Sequence, residues 1–179
     1  MSNVRLGYHY HISAYQDGND IYTHAQQGLF IDSLSQYFDK IICFFYLSDN
    51  SEKKIFRYKI KNANIELINI GKKRLVYLRS FYFSKIYHII KKSGIDVMLT
   101  RGPSPLLPLI AKKVTSPQSF ILVGDYTKGI SELPQPYLKK KAIQVWANLY
   151  KHYQDNRFKN NLLMVNNKKL YNEYFKKIK

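Results

Sequence analysis

Three polar segments of the chain carry side chains that could bind an anion or move a proton, and each follows an apolar run. The segments are "SAYQDGND" at residues 13–20, "TRGPS" at 100–104 and "GDYTKG" at 124–129. Their candidate side chains are Asp17, Gly18 and Asn19 in the first, Arg101 in the second, and Asp125 and Lys128 in the third. Arginine directs two N–H donors at a phosphate or carboxylate, and a carboxylate binds a hydroxyl or acts as a base. These residue types would suit a ligand that carries an anionic group and hydroxyls.

Each of these candidates also has a purely structural explanation. Gly18 could let a phosphate approach the N-terminus of a following helix, or it could serve an ordinary turn. Arg101 could bind the anion, or it could form an ion pair with Asp125 or Asp17 at the same edge. Asp125 could be the catalytic carboxylate, or it could cap a turn or helix.

The elements that must position these segments alternate between strand and helix. The pattern predicts strands at 4–12, 41–47, 63–71, 96–99 and 120–123 and within 160–167, and helices at 21–38, 75–94, up to 113, 137–158 and 168–179. Residues 48–62 are predicted as a short helix or an irregular crossover. Alternation of this kind predicts an α/β fold, a doubly wound, mainly parallel sheet with helices on both faces, in one Rossmann-like domain over 1–179. The three polar segments then share the carboxyl edge of the sheet.

The composition predicts an anionic partner. The chain has 29 Lys+Arg against 12 Asp+Glu, a formal net charge of +17. Nucleic acid, acidic lipid and phosphorylated substrates all fit that charge, although much of it could be ordinary solvated helix surface.

Metal chemistry and the common nucleotide motifs have little support in the sequence. The single cysteine, Cys43, lies in an apolar run and is predicted to fill the core. His9 and His11 share one side of a strand, where packing is a simpler explanation than metal binding, so no metal site is predicted. There is no Walker lysine loop, no GxGxxG and no GxSxG.

One basic and aromatic segment is a candidate for membrane contact. In "KKRLVYLRSFYFSKIYHIIKK", residues 72–92, lysine and arginine could lie above aromatic and aliphatic side chains on anionic lipid. The alternative is a helix that covers the sheet. With no signal-peptide-like stretch and no long apolar run, we expect a cytoplasmic protein, at most peripheral at the inner face of the cell membrane.

Four stretches of the chain resemble the N-terminal domain of family-4-type glycosyltransferases of the GT-B architecture, particularly bacterial enzymes of capsular and surface polysaccharide synthesis. The stretches are "YQDGNDIYTHAQQGLFIDSLSQYFDKIICFFY", "HIIKKSGIDVMLTRGPSPLLPLIAKK", "FILVGDYTKG" and "NNLLMVNNKKLYNEYFKK". They cover the family's glycine loop, first helix and second strand, its fourth and fifth strands, and the strand and helix that close the domain.

The resemblance implies a retaining transferase that moves a sugar from a nucleotide-sugar to a lipid-linked or saccharide acceptor, without a metal or other cofactor. Gly18 would occupy the glycine-loop position near the donor diphosphate, and Asp125 matches an aspartate that follows the fifth strand. The family's histidine before that aspartate is replaced by Gly124, and its paired glycines by Asp17-Gly18-Asn19. The donor-binding C-terminal domain is not in this sequence, so we expect no transfer by this chain alone.

The competing interpretation is a basic α/β module that binds nucleic acid, since +17 and 16 tyrosines would serve phosphates and base stacking. No RNP, KH or helix-turn-helix pattern is present, and many tyrosines lie within apolar elements. Nucleic acid is therefore the less favoured partner.

Overall fold

The computed structural model of the protein describes residues 3–72, 76–125, 127, 130–132, 134–158 and 161–178. The strands are β1 Arg5–His9, β2 Tyr15–Asp17, β3 Asp20–Thr23, β4 Lys40–Leu47, β5 Tyr58–Lys59, β6 Ile65–Lys72, β7 Val97–Gly102, β8 Gln118–Leu122 and β9 Leu162–Val165. The α-helices are α1 Ala25–Leu34, α2 Phe83–Lys92, α3 Leu107–Lys113, α4 Tyr137–Phe158 and α5 Lys168–Ile178. Short 3-10 helices cover Ser35–Tyr37, Asn50–Ile55, Val76–Tyr82 and Ile130–Glu132.

Six parallel strands form the main sheet, in the order β6-β4-β1-β7-β8-β9. Counted along the chain, these six strands stand in the order 3-2-1-4-5-6, which is the Rossmann order. The predicted doubly wound α/β fold is therefore confirmed. The strand order reverses between β1 and β7, which makes that pair the switch point of the sheet.

Strand β4 shows how the sheet is buried on both faces. Ile41, Cys43 and Phe45 belong to a core that includes Ile31 of α1. The alternate residues Ile42, Phe44 and Tyr46 belong to a second core with α2 and α3 on the other face. A continuous apolar run is what such a doubly covered parallel strand requires. Cys43 is fully buried, as its apolar surroundings predicted.

The other half of the sheet is covered on one face by the last helices. Phe120 and Leu122 of β8 pack with Phe158 of α4 and with Leu170 and Tyr174 of α5. These contacts hold β8 and β9 against the two helices that follow them.

The helix predicted at 21–38 is present over Ala25–Leu34, but its predicted start at Ile21 was wrong, because residues 15–23 form a hairpin. Tyr15 pairs with Tyr22 across antiparallel strands β2 and β3, and β5 adds a third strand. Gly18 has φ +58°, which suits the first position of a two-residue hairpin loop. Helix α1 begins only at Ala25, so Gly18 does not precede a helix N-terminus.

Strand β7 runs further than predicted, through Thr100, Arg101 and Gly102 to a cis bond before Pro103. A Cβ on Gly102 would lie 2.7 Å from Leu122 and 2.9 Å from Leu107. A side chain at this position would displace the buried Leu107 and Leu122 side chains, which pack directly on the glycine. Arg101 therefore projects from a strand and not from a loop.

The segment proposed for lipid contact contains a helix of the core. Phe83, Ile86 and Ile90 of α2 are buried against the sheet, and the helix stops before Gly94, which has φ +63°. This supports the sheet-covering alternative for α2. In the part of the chain that the structure describes, no helix is long and apolar enough to cross a membrane.

Candidate functional site

The carboxyl ends of β1 and β7 form the switch point, where open α/β sheets bind ligands. The chain leaves β1 through Tyr10 and His11 and leaves β7 through Pro103 and Ser104, so these two connections line the crevice. Both connections carry polar side chains that are buried or half-buried. The crevice is therefore the candidate ligand site.

His9 joins the two connections and is itself not available to a ligand. Its Nδ1 donates to the Phe44 carbonyl at 2.9 Å, so its Nε2, 2.9 Å from Ser104 Oγ, accepts from that hydroxyl. Ser104 Oγ in turn accepts from the Leu106 N–H at 3.3 Å. Burial lowers the pKa of His9 to about 4, and the carbonyl contact opposes this only in part. A neutral His9 thus fixes the position of the β7–α3 turn against β1.

Arg79 brings a guanidinium to the crevice from the helical segment before α2. Its Nη1 donates to the His11 carbonyl at 2.8 Å, and its Cζ lies 4.5 Å from the centre of the Tyr46 ring. Arg79 is 4% exposed, which means that its charge is held in a largely dry environment. Burial, followed by the charge of Arg79, lowers the pKa of His11 to about 4.

A cavity of about 200 Å³ opens beside Arg79. Its lining residues are His11, Ile12, Ser13, His24, Ile55, Phe56 and Arg79. His24 is the N-cap of α1 but makes no side-chain cap, and the first turn of that helix holds no acidic residue. The cavity therefore combines a buried arginine and two imidazoles with the positive end of a helix, and its lining contains no carboxylate.

Arg101 approaches the same switch point from the other face of the sheet. Its Cζ lies 4.9 Å from the Tyr10 ring centre and 5.5 Å from that of Phe30 in α1. Its Nε is buried and has no hydrogen-bond partner among the described residues. Burial raises the pKa of the neighbouring Tyr8, and the charge of Arg101 acts against that increase.

The ion pairs proposed as an alternative role for Arg101 are not formed. Asp17 Oδ2 pairs with Lys53 Nζ at 2.8 Å, and Asp125 pairs with Lys151. Both aspartates thus have lysine partners, and two aromatic rings hold the Arg101 guanidinium at the switch point. Arg101 keeps the capacity to bind an anion.

Asp17, Gly18 and Asn19 lie at the tip of the β2–β3 hairpin. The Asp17 side chain is 55% exposed, and a Cβ on Gly18 would meet no atom within 4 Å. The structure places these three residues together in open solvent, and Asn19, the nearest of them to α1, lies six residues before the start of that helix. It does not bring them into the cavity lining.

Asp125 belongs to a separate ionic cluster under the end of β8. Its carboxylate accepts from the Thr127 N–H and hydroxyl, each at 2.8 Å, and from Lys151 of α4. Lys151 also donates to Glu173 of α5 at 2.6 Å. Burial would raise the pKa of Asp125, but the bonds from Lys151 and Thr127 outweigh it and hold the pKa below its ordinary value. The turn-cap alternative for Asp125 is thus realised, together with an ion pair.

Sequence reasoning missed the residues that the cavity brings together. Arg79 and His24 have no local motif, and His11 was assigned to packing. Only the apolar alternation around His9 and His11 pointed to that connection. Lys128 lies outside the described residues, and among those described no group of three or more His, Cys, Asp or Glu side chains could hold a metal ion.

Comparison with known proteins leaves the function to be inferred from this geometry. No protein-family model matches the chain, and no curated protein shows significant similarity to it.

Proposed function

We propose that this chain is the acceptor-side domain of a retaining glycosyltransferase with GT-B architecture, and that it holds a phosphate-bearing ligand at the switch point between β1 and β7. The co-substrate is a nucleotide-sugar bound through a second domain, and the acceptor is a saccharide or a lipid-linked sugar. The proposed role belongs to surface polysaccharide synthesis.

One observation carries the proposal: two guanidiniums approach the switch point of a Rossmann-ordered sheet from its two faces, and the cavity beside Arg79 has no acidic lining residue. The buried Nε of Arg101 has no hydrogen-bond partner among the described residues, which favours a ligand that brings its own negative charge. The uncapped start of α1 adds a favourable dipole for the same charge.

Each residue at the switch point has a separate role in this proposal. Arg79, with His24 and the first turn of α1, binds a phosphate in the cavity. Arg101, held between Tyr10 and Phe30, binds a second oxyanion or a hydroxyl at the crevice. His9 positions the β7 turn through Ser104. Asp125 stays outside the site, because Lys151 and Thr127 engage its carboxylate.

Calorimetric titration of the chain with a nucleoside diphosphate sugar and, separately, with an isoprenyl diphosphate tests this assignment. We expect binding of at least one diphosphate and a loss of about tenfold in affinity for Arg79→Gln or Arg101→Gln, since a charge-assisted hydrogen bond contributes roughly 1.5–3 kcal/mol. Lys59→Gln, which removes an exposed lysine paired with Asp20, is the matched control and should bind as the wild type does.

Two results would contradict the proposal. One is unchanged affinity in both arginine variants. The other is preferential binding of single-stranded RNA or DNA with an affinity that falls steeply with salt, which would favour the nucleic-acid interpretation. Sugar transfer from a nucleotide-sugar by a protein that joins this chain to a donor domain would then test the reaction itself.

A further inference from the structure

Helix α4 is apolar on two opposite faces. Ala147, Gln154 and Phe158 are buried against the protein. On the far side, Leu138 is 80% exposed, Val145 59% and Leu149 68%. Since consecutive helix residues differ by about 100°, these three side chains fall on one narrow line, directly opposite the buried face. A surface helix normally carries polar residues there, so the exposed line requires an explanation.

The exposed line is continuous along most of the helix. Ala142 lies between Leu138 and Val145 and is exposed, and Tyr153, 41% exposed, extends the line toward the end of the helix. From Leu138 to Tyr153 the line spans about 22 Å at 1.5 Å per residue. We call these five residues the α4 stripe.

The surroundings of the α4 stripe are basic. Lys139 and Lys141 flank its first turn on either side, and Lys112 of α3 reaches the Tyr153 hydroxyl at 3.5 Å. No acidic residue occurs between Tyr137 and Gln154. Lys141 also lies over the Tyr137 ring at 5.2 Å, so a tyrosine and a lysine share the margin of the stripe.

We propose that the α4 stripe lies on the surface of an anionic lipid bilayer. Leu138, Val145 and Leu149 enter the boundary between headgroups and acyl chains, and Lys139 and Lys141 contact the headgroup phosphates. An apolar line with basic margins is the pattern of an interfacial helix, in which lysine stems follow the apolar surface and their charges stay in water. This inference goes beyond the proposed function and does not depend on it.

Charge favours a bilayer over a second copy of the chain. A net charge of +17 on each copy opposes self-association, and the same charge attracts the protein to anionic lipid. Each lysine near such a surface adds on the order of 1 kcal/mol of attraction.

Vesicle flotation tests the proposal directly. We compare phosphatidylcholine vesicles with vesicles that contain about one-third phosphatidylglycerol, to which the wild type should bind preferentially. The stripe variant combines Leu138→Gln, Val145→Gln and Leu149→Gln, and the control variant combines Leu29→Gln, Tyr37→Gln and Leu162→Gln at equally exposed apolar positions elsewhere. We expect at least about tenfold weaker binding for the stripe variant and wild-type binding for the control.

A labelled cysteine locates the contact. Because the single native cysteine, Cys43, is fully buried, Leu149→Cys and the control Leu29→Cys can each be labelled with an environment-sensitive dye. The dye at position 149 should report an apolar environment when anionic vesicles are added, and the dye at position 29 should not.

Three results would overturn the proposal: no association of the folded wild type with anionic vesicles, equal binding by the stripe and control variants, or no response of the dye at position 149. Circular dichroism and thermal melting confirm that each variant is folded. A wild type that is dimeric in solution and becomes monomeric in the stripe variant would assign the stripe to a second copy instead. Diphosphate binding by the stripe variant should be unchanged, which separates failure here from failure of the switch-point site.

Discussion

Two charged regions lie at the carboxyl edge of the sheet, and their charged side chains have different kinds of neighbour. Under β8, Asp125 is surrounded by partners: Thr127 donates two hydrogen bonds, and Lys151 joins Asp125 to Glu173. At the switch point, Arg79 and Arg101 lie against aromatic rings, and the adjoining cavity contains no carboxylate. The first region pairs opposite charges within the protein, whereas the second places two guanidiniums against aromatic rings at a crevice.

The difference shows why a charged residue at a strand end is not by itself evidence of a site. Asp125 and Arg101 were equally good candidates in sequence, since both follow an apolar run. What separates them is the set of neighbours brought by distant elements, α4 and α5 in one case and α1 in the other. A ligand-binding site requires a charged group that other groups of the protein do not already engage fully.

The largest expected effect is acid destabilisation that originates at the switch point. His9 and His11 have folded-state pKa values of about 4, against an ordinary 6.5, because both are buried. Between these values the unfolded chain takes up protons that the folded chain excludes, so the free energy of unfolding falls as the pH decreases from 6.5. We expect a loss on the order of 2 kcal/mol for each histidine by pH 5.

Urea denaturation at pH 7, 6 and 5 measures this loss. The pKa of Asp125 is held below its ordinary value, so this carboxylate stays ionised over the same pH range and does not contribute to the loss. A free energy of unfolding that stays constant between pH 7 and pH 5 would show that burial does not lower the pKa values of His9 and His11. The switch point would then not differ from the Asp125 cluster in its response to acid.

The second effect concerns the Asp125 cluster. Lys151→Met removes the cation and leaves Asp125, whose side chain is only 5% exposed, without its charge partner. Breaking a buried pair in this way typically destabilises a protein by about 3 kcal/mol. Thermal melting should show a clear decrease in Tm, while diphosphate affinity measured below the melting transition should equal that of the wild type. A loss of affinity instead would move Asp125 and Lys151 into the site.

Most of the fold could be predicted from the sequence, because the fold depends on long apolar patterns. Residues 41–47 are apolar throughout and form a doubly covered strand, and the predicted helix at 137–158 matches α4. The predictions that failed concern segments whose local pattern is ambiguous. Residues 13–20 were predicted as a polar loop and residues 21–23 as the start of a helix, but Tyr15 and Tyr22 pair across a hairpin to which β5 adds a third strand.

The site was harder to predict than the fold. Arg101 could be recognised from its place after an apolar run, whereas Arg79 reaches the His11 carbonyl across 68 positions of the chain. No spacing rule connects two such residues. Lysine clusters were equally uninformative, because α2 and α4 are both basic but only α4 leaves an apolar line exposed on its outer face.

The third effect is smaller and concerns the geometry of Arg101. Arg101→Lys keeps the charge but loses the planar fork and its stacking between Tyr10 and Phe30. We expect diphosphate affinity to fall by about 1 kcal/mol, less than for Arg101→Gln, with little change in stability. Equal affinity of the lysine variant and the wild type would mean that Arg101 acts only as a point charge.

The smallest effect is expected at the hairpin tip. Asp17 and Lys53 form an ion pair in which both side chains are more than half exposed, and water screens such pairs strongly. Asp17→Asn should therefore leave both the denaturation midpoint and diphosphate affinity unchanged within error, in contrast to Lys151→Met at the buried pair. A large loss of affinity in Asp17→Asn would instead bring the hairpin tip into the ligand site, as its resemblance to a glycine loop implied.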